Sequence, residues 1–227
     1  MIRTRNELTD IICKTILFRK IDREEVEKIL PILDGKEKVV EPDGIYLMAQ
    51  DVQTKMGIVM KGSLNVSKIL SSGTENLYEK LWPGYTVSLS VVCSSTQVSP
   101  YTVYSIEGAR IFEFPYENIF SDLIPEKFRL VMLRNISNQL SNENIKRQNK
   151  VDVLSVNGLR DRVMMYLETQ ASKKGTSSFT IPFNREELAN YLCVNRSALS
   201  HELSLMRQEG IIEFRKNRFH LLGLERD

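Results

Sequence analysis

The chain has 227 residues, of which 42% are hydrophobic and 26% are charged, and its net charge is +2. This composition is that of a globular protein and argues against a disordered chain or a membrane protein, since no apolar run approaches the roughly 18 residues of a membrane span. A net charge this small is weak for a nucleic-acid-binding protein, so any such affinity must come from cations placed locally, doubled if the protein dimerises.

The N-terminal sequence MIRTRNELTD is charged and lacks the apolar segment that a signal peptide needs. The three cysteines, Cys13, Cys93 and Cys193, are 80 and 100 residues apart and form no CxxC pair or metal-binding spacing. Both features predict a reducing, cytoplasmic setting.

Helical spacing of apolar residues comes first, over 7–33, with Asp22 as the expected N-cap of a second helix. From residue 38 the pattern changes to short β-rich runs broken by turn residues, which predicts a sandwich or barrel. The eight predicted strands are 38–41, 45–48, 56–60, 63–69, 76–81, 86–92, 101–106 and 110–114.

Three glycines, Gly62, Gly73 and Gly84, recur at an interval of eleven residues at strand boundaries. The interval suits a double-stranded β-roll in which each turn needs a permissive backbone. Three glycines can also align by chance, so the period alone decides little.

Residues 116–150 return to a helical pattern, after Pro115 and again after Pro125. An a/d seam of about one and a half heptads is expected there, formed by Leu133, Ile136 and Leu140. This helix lies across the β-roll or also pairs with its twin across a two-fold axis; the C-terminal motif described next favours pairing. Another helix is predicted over 152–170, after a hinge near 150–156, and a short strand over 179–183.

The segment 183–210 carries the strongest functional signal. Asn184 can cap a short helix, and after the triplet 193–195 a second helix begins near Arg196. The first helix has an apolar stripe of Leu188, Ala189 and Leu192. The second helix is expected to bury Leu199, Leu203 and Met206. The side chains left pointing outward are Arg196, Ser197, Ser200, His201 and Ser204. This is the pattern of a helix-turn-helix, whose second helix enters a DNA major groove.

A basic hairpin follows the motif. Gly210 ends the second helix, and the runs 211–214 and 219–222 read as two strands around a turn with Arg215, Lys216 and Arg218. A hairpin with three cations directly after a recognition helix is typical of the wing of a winged helix. It weakens the alternative of an ordinary helical hairpin in an enzyme. Residues 151–227 hold eleven Lys and Arg against ten Asp and Glu, a charge of +1, which favours specific over nonspecific binding.

The order of β-roll, long helix and winged helix resembles the Crp/Fnr superfamily of bacterial transcription regulators along nearly the whole chain. PDGIYLMAQD (42–51), IVMKGSLNV (58–66) and LWPGYTV (81–87) resemble its β-roll turns. GLRDRVMMYL (158–167) and REELANYLCVNRSALSHELSLMRQEGII (185–212) resemble its DNA-binding half. The resemblance implies an α+β fold with an N-terminal double-stranded β-roll like that of cyclic-nucleotide-binding domains, a long dimerisation helix and a C-terminal winged helix-turn-helix. The expected domains are 1–118, 119–150 and 151–227.

By that resemblance, Arg196, Ser197 and His201 lie where family members read base edges. Members that read a TGTGA-like half-site usually carry Arg, Glu and Arg there, and this chain keeps only the first Arg. Arg196 can form two hydrogen bonds to guanine, whereas Ser197 and His201 predict a different operator. The full set of predicted DNA-binding residues is Asn195, Arg196, Ser197, Ser200, His201, Arg185, Arg215, Lys216 and Arg218. The expected partners are double-stranded DNA with a palindromic operator, a second copy of the chain and, as a further candidate, RNA polymerase.

The sensor half departs from the family. Aligning PGYTVSL (83–89) and SPYTVYS (99–105) with the cyclic-nucleotide phosphate cassette places Ser88 and Leu89 at its Gly-Glu positions and Ser99 at its arginine. Without that guanidinium, a buried cyclic phosphate loses its charge-assisted hydrogen bonds. Neither cAMP nor cGMP is therefore expected as the effector.

No metal or cofactor is predicted either. An iron–sulfur cluster needs about four thiolates, and the first 100 residues hold two cysteines. Haem ligation by a β-roll histidine is not expected, because His201 and His220 both lie in the DNA-binding half.

A pocket enclosed by the β-roll and the long helix is one reading of this region, and a solid core is the other. The expected lining is Val87, Ser88, Leu89, Val91, Ser99, Tyr101, Val103, Leu130 and Arg134. Such a pocket would favour a hydrophobic effector. Cys93 could act as a redox switch, although a lone cysteine is more often inert.

The sequence thus predicts a dimeric, sequence-specific transcription regulator whose winged helices reorient about the hinge in response to an unidentified effector. The alternative is a ligand-binding regulatory module that acts through protein contacts, against which the basic wing argues. An enzyme has little support, because the chain has two histidines and no nucleophile elbow, phosphate loop or paired-carboxylate context.

Overall fold

The computed structural model describes residues 5–222, and the first four residues of the charged N-terminus considered above lie outside that range. The described residues form two compact units. The first unit comprises residues 5–68 and 79–145, and the second comprises 69–78 and 146–222. No helix within 5–222 combines the length and the hydropathy that crossing a membrane requires.

The first unit begins with two helices, α1 (Arg5–Ile12) and α2 (Arg23–Ile32), as the spacing over 7–33 predicts. Asp22 is the N-cap residue of α2, but its side chain makes no capping hydrogen bond. Eight strands follow: β1 Lys36–Val40, β2 Ile45–Leu47, β3 Lys55–Gly62, β4 Leu64–Ile69, β5 Glu75–Leu81, β6 Thr86–Val87, β7 Thr102–Tyr104 and β8 Ala109–Pro115.

These strands form two four-stranded sheets, in the orders β1-β8-β3-β6 and β2-β7-β4-β5. Gly62 ends β3 with a φ of +76°, and a Cβ at this position would lie 2.1 Å from the carbonyl oxygen of Gly108. Gly73 and Gly84 also have positive φ angles, of 80° and 90°. The interval of eleven therefore marks three turns whose backbone favours glycine, and the predicted β-roll is confirmed.

One strand prediction is wrong in its second half. After β6 the chain passes through Ser88, whose φ is +66°, into the short helix α3 (Leu89–Val92). The side chains of Leu89, Val91 and Val92 are buried. A short, fully buried apolar run has no periodicity that separates strand from helix, which is why the sequence pattern fails here.

A short 3-10 helix, Tyr116–Phe120, leads to the long helix α4, Glu126–Ser155. The helix predicted over 152–170 is wrong at its start, since α4 runs through 150 and the break lies at 156–158, before α5 (Leu159–Lys174). Gly158, with a φ of +91°, marks that break. The polar residues 141–150 form no apolar stripe, and most of them are exposed. Because a solvent-exposed helical segment needs no apolar stripe, α4 continues through them.

The inner face of α4 belongs to the core of the first unit. Phe128, Met132 and Ile136 pack there with residues of α1, α2, β3 and β8. Ile136 is only 5% exposed. Its assignment to an outward seam with Leu133 and Leu140 is therefore wrong.

The second unit is a winged helix. After α5 come β9 (Ser178–Thr180), α6 (Arg185–Tyr191), α7 (Arg196–Gln208), β10 (Ile212–Arg215) and β11 (Arg218–Leu221). The three strands form one sheet in the order β10-β11-β9. The strand predicted over 179–183 is thus shorter and begins one residue earlier, and both wing strands are shifted by one residue, β10 towards the C-terminus and β11 towards the N-terminus.

Candidate nucleic-acid interface

The first helix of the helix-turn-helix, α6, is fixed by a reciprocal cap. The Asn184 side chain accepts a hydrogen bond from the backbone N–H of Glu187 at 2.9 Å, and the Glu187 carboxylate accepts one from the backbone N–H of Asn184 at 2.8 Å. The predicted cap at Asn184 is confirmed. The Asn-x-x-Glu spacing also predicts the second hydrogen bond of this capping box, from the Asn184 N–H to Glu187, which was not among the sequence predictions.

The predicted buried faces of both helices are confirmed. All six apolar side chains assigned to them are at most 1% exposed: Leu188, Ala189, Leu192, Leu199, Leu203 and Met206. Between the helices, Cys193 has a φ of +55°, and the backbone N–H of Val194 donates to the carbonyl oxygen of Ala189 at 3.0 Å. This turn lets α7 cross α6 closely enough to bury both faces.

The start of α7 presents polar side chains to solvent. Asn195, Arg196, Ser197 and His201 are exposed, whereas Ser200 is half-buried. Such a row of donors and acceptors at the N-terminal end of a recognition helix is what base-edge contacts require.

Within residues 5–222, the Arg196 side chain pairs with Glu186. Its guanidinium lies 3.5 Å from the Glu186 carboxylate, and the two side chains are 64% and 66% exposed. An exposed pair at this distance is weak. The guanidinium is therefore available for other acceptors.

Arg185, the first residue of α6, lies against the wing and not beside the exposed polar residues of α7. Its guanidinium is 4.9 Å from the ring centre of Phe214 and 5.9 Å from that of Phe219. The Arg207 guanidinium also lies over the Phe214 ring, at 5.1 Å. Burial, followed by the nearby charge of Arg196, lowers the pKa of Arg185. Phe214 is thus in contact with two cations, which hold the wing to the helices.

The wing carries three exposed cations near its turn. Arg215 and Arg218 face each other across the β10–β11 ladder, and Lys216 lies in the turn with a φ of +55°. Asn217 faces inward: its amide donates to the Ile181 carbonyl at 3.0 Å and its own carbonyl accepts from the Ile181 N–H at 3.0 Å. The turn is anchored while its cations remain free to meet phosphates.

Sequence reasoning missed a clamp on the recognition helix. The Arg160 guanidinium on α5 lies 2.7 Å from the Glu202 carboxylate and makes two bonds to Glu209, at 2.6 and 2.8 Å. These bonds raise the pKa of Arg160 and lower that of Glu209. Arg162 on the same helix donates to the carbonyl oxygen of Leu192, at the end of α6, at 3.0 Å. Both arginines fix the helix-turn-helix on α5, and no spacing rule joins residues this far apart in sequence.

The first unit holds a recess at the predicted effector site, but its character differs from the prediction. A small recess is lined by Val66, Glu79, Leu81, Thr86, Val87, Ser88, Leu89, Ser90, Tyr101 and Glu143. Glu143 on α4 accepts a hydrogen bond from Gln139 at 3.1 Å, and Gln139 also donates to Thr86. Two carboxylates and several hydroxyls make this recess polar and acidic, not hydrophobic.

Of the predicted lining, Val87, Ser88, Leu89 and Tyr101 border the recess. The other five do not: Val91, Ser99, Val103, Leu130 and Arg134. Val91 and Val103 are core side chains, and Ser99 is fully buried with its hydroxyl donating to the Tyr101 carbonyl at 2.6 Å. Leu130 and Arg134 are exposed on the outer side of α4. The alternative of a solid core therefore holds for Val91 and Val103, while a small polar recess lies beside this core.

Cys93 is half-buried at the end of α3. Burial raises the pKa of its thiol, and a hydrogen bond with Tyr116 partly opposes that effect. A raised pKa reduces the thiolate fraction and with it the reactivity that a redox switch needs.

The chain is similar to known transcription regulators. The Crp-like helix-turn-helix domain family matches residues 161–226. The transcriptional activator protein FnrA of Stutzerimonas stutzeri is 25% identical over 170 residues, which cover 72% of this chain and 67% of FnrA. The transcriptional activator protein anr of Pseudomonas aeruginosa is 23% identical over 171 residues, with 72% and 67% coverage. The structure of the c-di-GMP-responsive regulator CLP from Xanthomonas campestris matches with a TM-score of 0.69 at 17% identity, over 89% of this chain and 100% of CLP.

Proposed function

We propose that this chain is a DNA-binding transcription regulator of the Crp/Fnr type, which its Crp-like helix-turn-helix domain and its similarity to FnrA support, and that it acts in the cytoplasm as a homodimer on a two-fold symmetric operator. Each subunit places the start of α7 in a major groove, where Arg196 reads a guanine and Ser197 and His201 set the neighbouring preference. The cations Arg215 and Lys216 hold the flanking phosphates. Specificity then comes from few contacts, which agrees with a net charge of only +2.

The observation that carries the dimer is the outer face of α4. Leu130 and Ile145 are each 59% exposed there, and Leu133 is half-buried. Leu130 and Leu133 are three residues apart, which is the spacing between the two apolar positions of a coiled-coil heptad. A helix that buries Phe128 and Met132 on one side and exposes Leu130 and Ile145 on the other has a second apolar face for a partner helix. A twin α4 also gives the two recognition helices that paired half-sites about 34 Å apart require.

Leu130→Glu is expected to convert the dimer to a monomer at micromolar concentration, because a carboxylate would be buried in the seam of both helices. Light scattering coupled to gel filtration measures the mass directly. The matched control is Val39→Glu, which adds the same charge at a side chain that is 57% exposed on β1. A Leu130→Glu variant that keeps the dimer mass would contradict the role of α4.

We further propose that the effector binds at the recess and is not a cyclic nucleotide. Ser99, at the position of the cassette arginine, is buried and bonded to backbone. No Arg or Lys is among the residues that line the recess, whereas Glu79 and Glu143 are. A cyclic phosphate would meet carboxylates where it needs a guanidinium. A small molecule rich in hydrogen-bond donors suits this lining better than the hydrophobic effector that the sequence predicts.

Neither cAMP nor cGMP at 1 mM is expected to raise the melting temperature. A ligand present at 100 times its Kd would stabilise the protein by about 2.7 kcal/mol, which a thermal melt detects easily. Linear AMP serves as the control for nonspecific nucleotide effects. A clear shift with the cyclic forms alone would overturn the proposal for this recess.

A further inference from the structure

A ten-residue piece of the β-roll belongs to the DNA-binding unit. Strands β4 and β5 are joined by a hairpin, and the hairpin tip, residues 69–78, groups with residues 146–222 and not with the rest of the roll. Leu77 in this tip is 1% exposed. It lies in the same apolar core as Leu188 and Leu192 of the helix-turn-helix.

A buried lysine holds the tip. Lys150, on the last turns of α4, is 6% exposed, and its ammonium donates to the Asn76 side chain at 2.6 Å and to the Leu77 carbonyl. The ammonium also lies 5.1 Å from the ring centre of Tyr78 and 4.5 Å from that of Tyr191. Both hydrogen-bond acceptors and one ring come from the tip, and the other ring comes from α6.

The tip is bonded to α6 directly as well. The Asn190 amide in α6 donates to the Glu75 carboxylate of the tip at 2.7 Å. Since α6 packs against α7, the tip supports the helix-turn-helix through α6.

We propose that Lys150 is a positioning residue for DNA binding, which holds the hairpin tip against α6 and thereby sets the orientation of α6 and α7. A buried ammonium is a poor choice for stability alone, because an apolar side chain of similar length fills the same space without losing hydration. Lys150 instead makes the DNA-binding unit depend on the tip.

The test uses the full chain and the duplex that the wild-type protein selects from a random pool. Lys150→Met keeps the length and apolar contacts of the side chain but cannot bond to Asn76 or Leu77. The matched control is Lys146→Met, which removes one exposed charge a turn earlier on α4. Glu75→Ala loosens the tip from the other end without altering α4 or α6. Hydrogen exchange of the tip and of α6, DNA affinity and its salt dependence are measured for each.

We expect faster exchange in the tip and in α6 for Lys150→Met and Glu75→Ala, and DNA binding weakened by roughly threefold to tenfold, as for the loss of a small hydrogen-bond network. The salt slope should stay unchanged, since a lost phosphate contact would reduce it by about 0.9. All affinities are measured well below the melting temperature, where lower global stability leaves the Kd unaltered.

Three results would overturn the proposal: unchanged exchange in the tip, unchanged affinity despite a loosened tip, or a reduced salt slope. Glu75→Ala keeps the test decisive if Lys150→Met fails to fold. The proposal rests on DNA binding alone, so loss of the dimer or of the effector site would not affect it.

Discussion

Replacing Arg196 with alanine is expected to weaken specific DNA binding by ~1–3 kcal/mol per half-site and to relax the preference at one base pair. Its guanidinium is exposed at the start of α7. If this end of α7 enters the major groove, the guanidinium can donate two hydrogen bonds to the O6 and N7 atoms of a guanine. Site selection from randomised duplexes measures the preference, and titration of the selected duplex measures the affinity.

The control for this prediction is Lys216→Ala on the wing. Lys216 is exposed in the turn between β10 and β11, and its loss should weaken binding to all sequences and reduce the salt slope by about 0.9. Arg196→Ala should instead change which sequences are selected. If the alanine variant selected the same sequences as the wild-type protein, α7 would not be the recognition helix in the proposed orientation.

The pairing of Arg196 with Glu186 does not compete strongly with a base. Exposed ion pairs are worth about 0–1 kcal/mol, and this one has a separation of 3.5 Å between highly exposed groups. In the proposed complex, Arg196 would exchange this pair for two hydrogen bonds to guanine. The weak pair with Glu186 is therefore expected to cost little DNA affinity.

The helix-turn-helix could be predicted because its signals are local. Asn184 caps within three residues, and the buried positions of α7 repeat every three or four residues along a single helix. The wing is equally local, with a turn between two short strands. Where one helix or one hairpin contains the whole pattern, sequence spacing translates directly into burial.

The contacts that the sequence did not predict join residues that lie far apart in the chain. Arg160 binds Glu209, the residue that follows α7, and Lys150 binds Asn76 of the hairpin tip. The recess was predicted as apolar because Glu79 and Glu143 come from β5 and α4, outside the stretch that was aligned. The helix boundary at 156–158 was misplaced because a polar exposed helix looks like a hinge. A pattern within one segment of the sequence cannot predict contacts between separate segments.

Lys150 is expected to make the stability of the second unit rise with pH. Burial lowers the pKa of Lys150 to about 8, an effect that the nearby Cys193 partly opposes, whereas an unfolded lysine has a pKa of about 10.4. Well below pH 8 both states carry the proton and stability does not change. Between these two values the unfolded chain holds more protons than the folded chain, so unfolding becomes less favourable as pH rises. The full shift corresponds to about 3 kcal/mol, of which much should be visible by pH 9.5. Burial raises the pKa of Tyr78 and of Tyr166.

Urea unfolding of wild type, Lys150→Met and Lys146→Met between pH 7 and 9.5 isolates this contribution. Lys150→Met should lose the rise and, at pH 7, be as stable as the wild type or more stable by up to about 3 kcal/mol, because no ammonium is left buried. Lys146→Met should behave as the wild type. An unaltered pH slope in Lys150→Met would show that the ammonium is not desolvated in the folded state. If the methionine variant unfolds at higher urea and still binds DNA more weakly, the loss of affinity cannot come from a weaker fold. That combination assigns Lys150 to orienting the helix-turn-helix instead of to stabilising it.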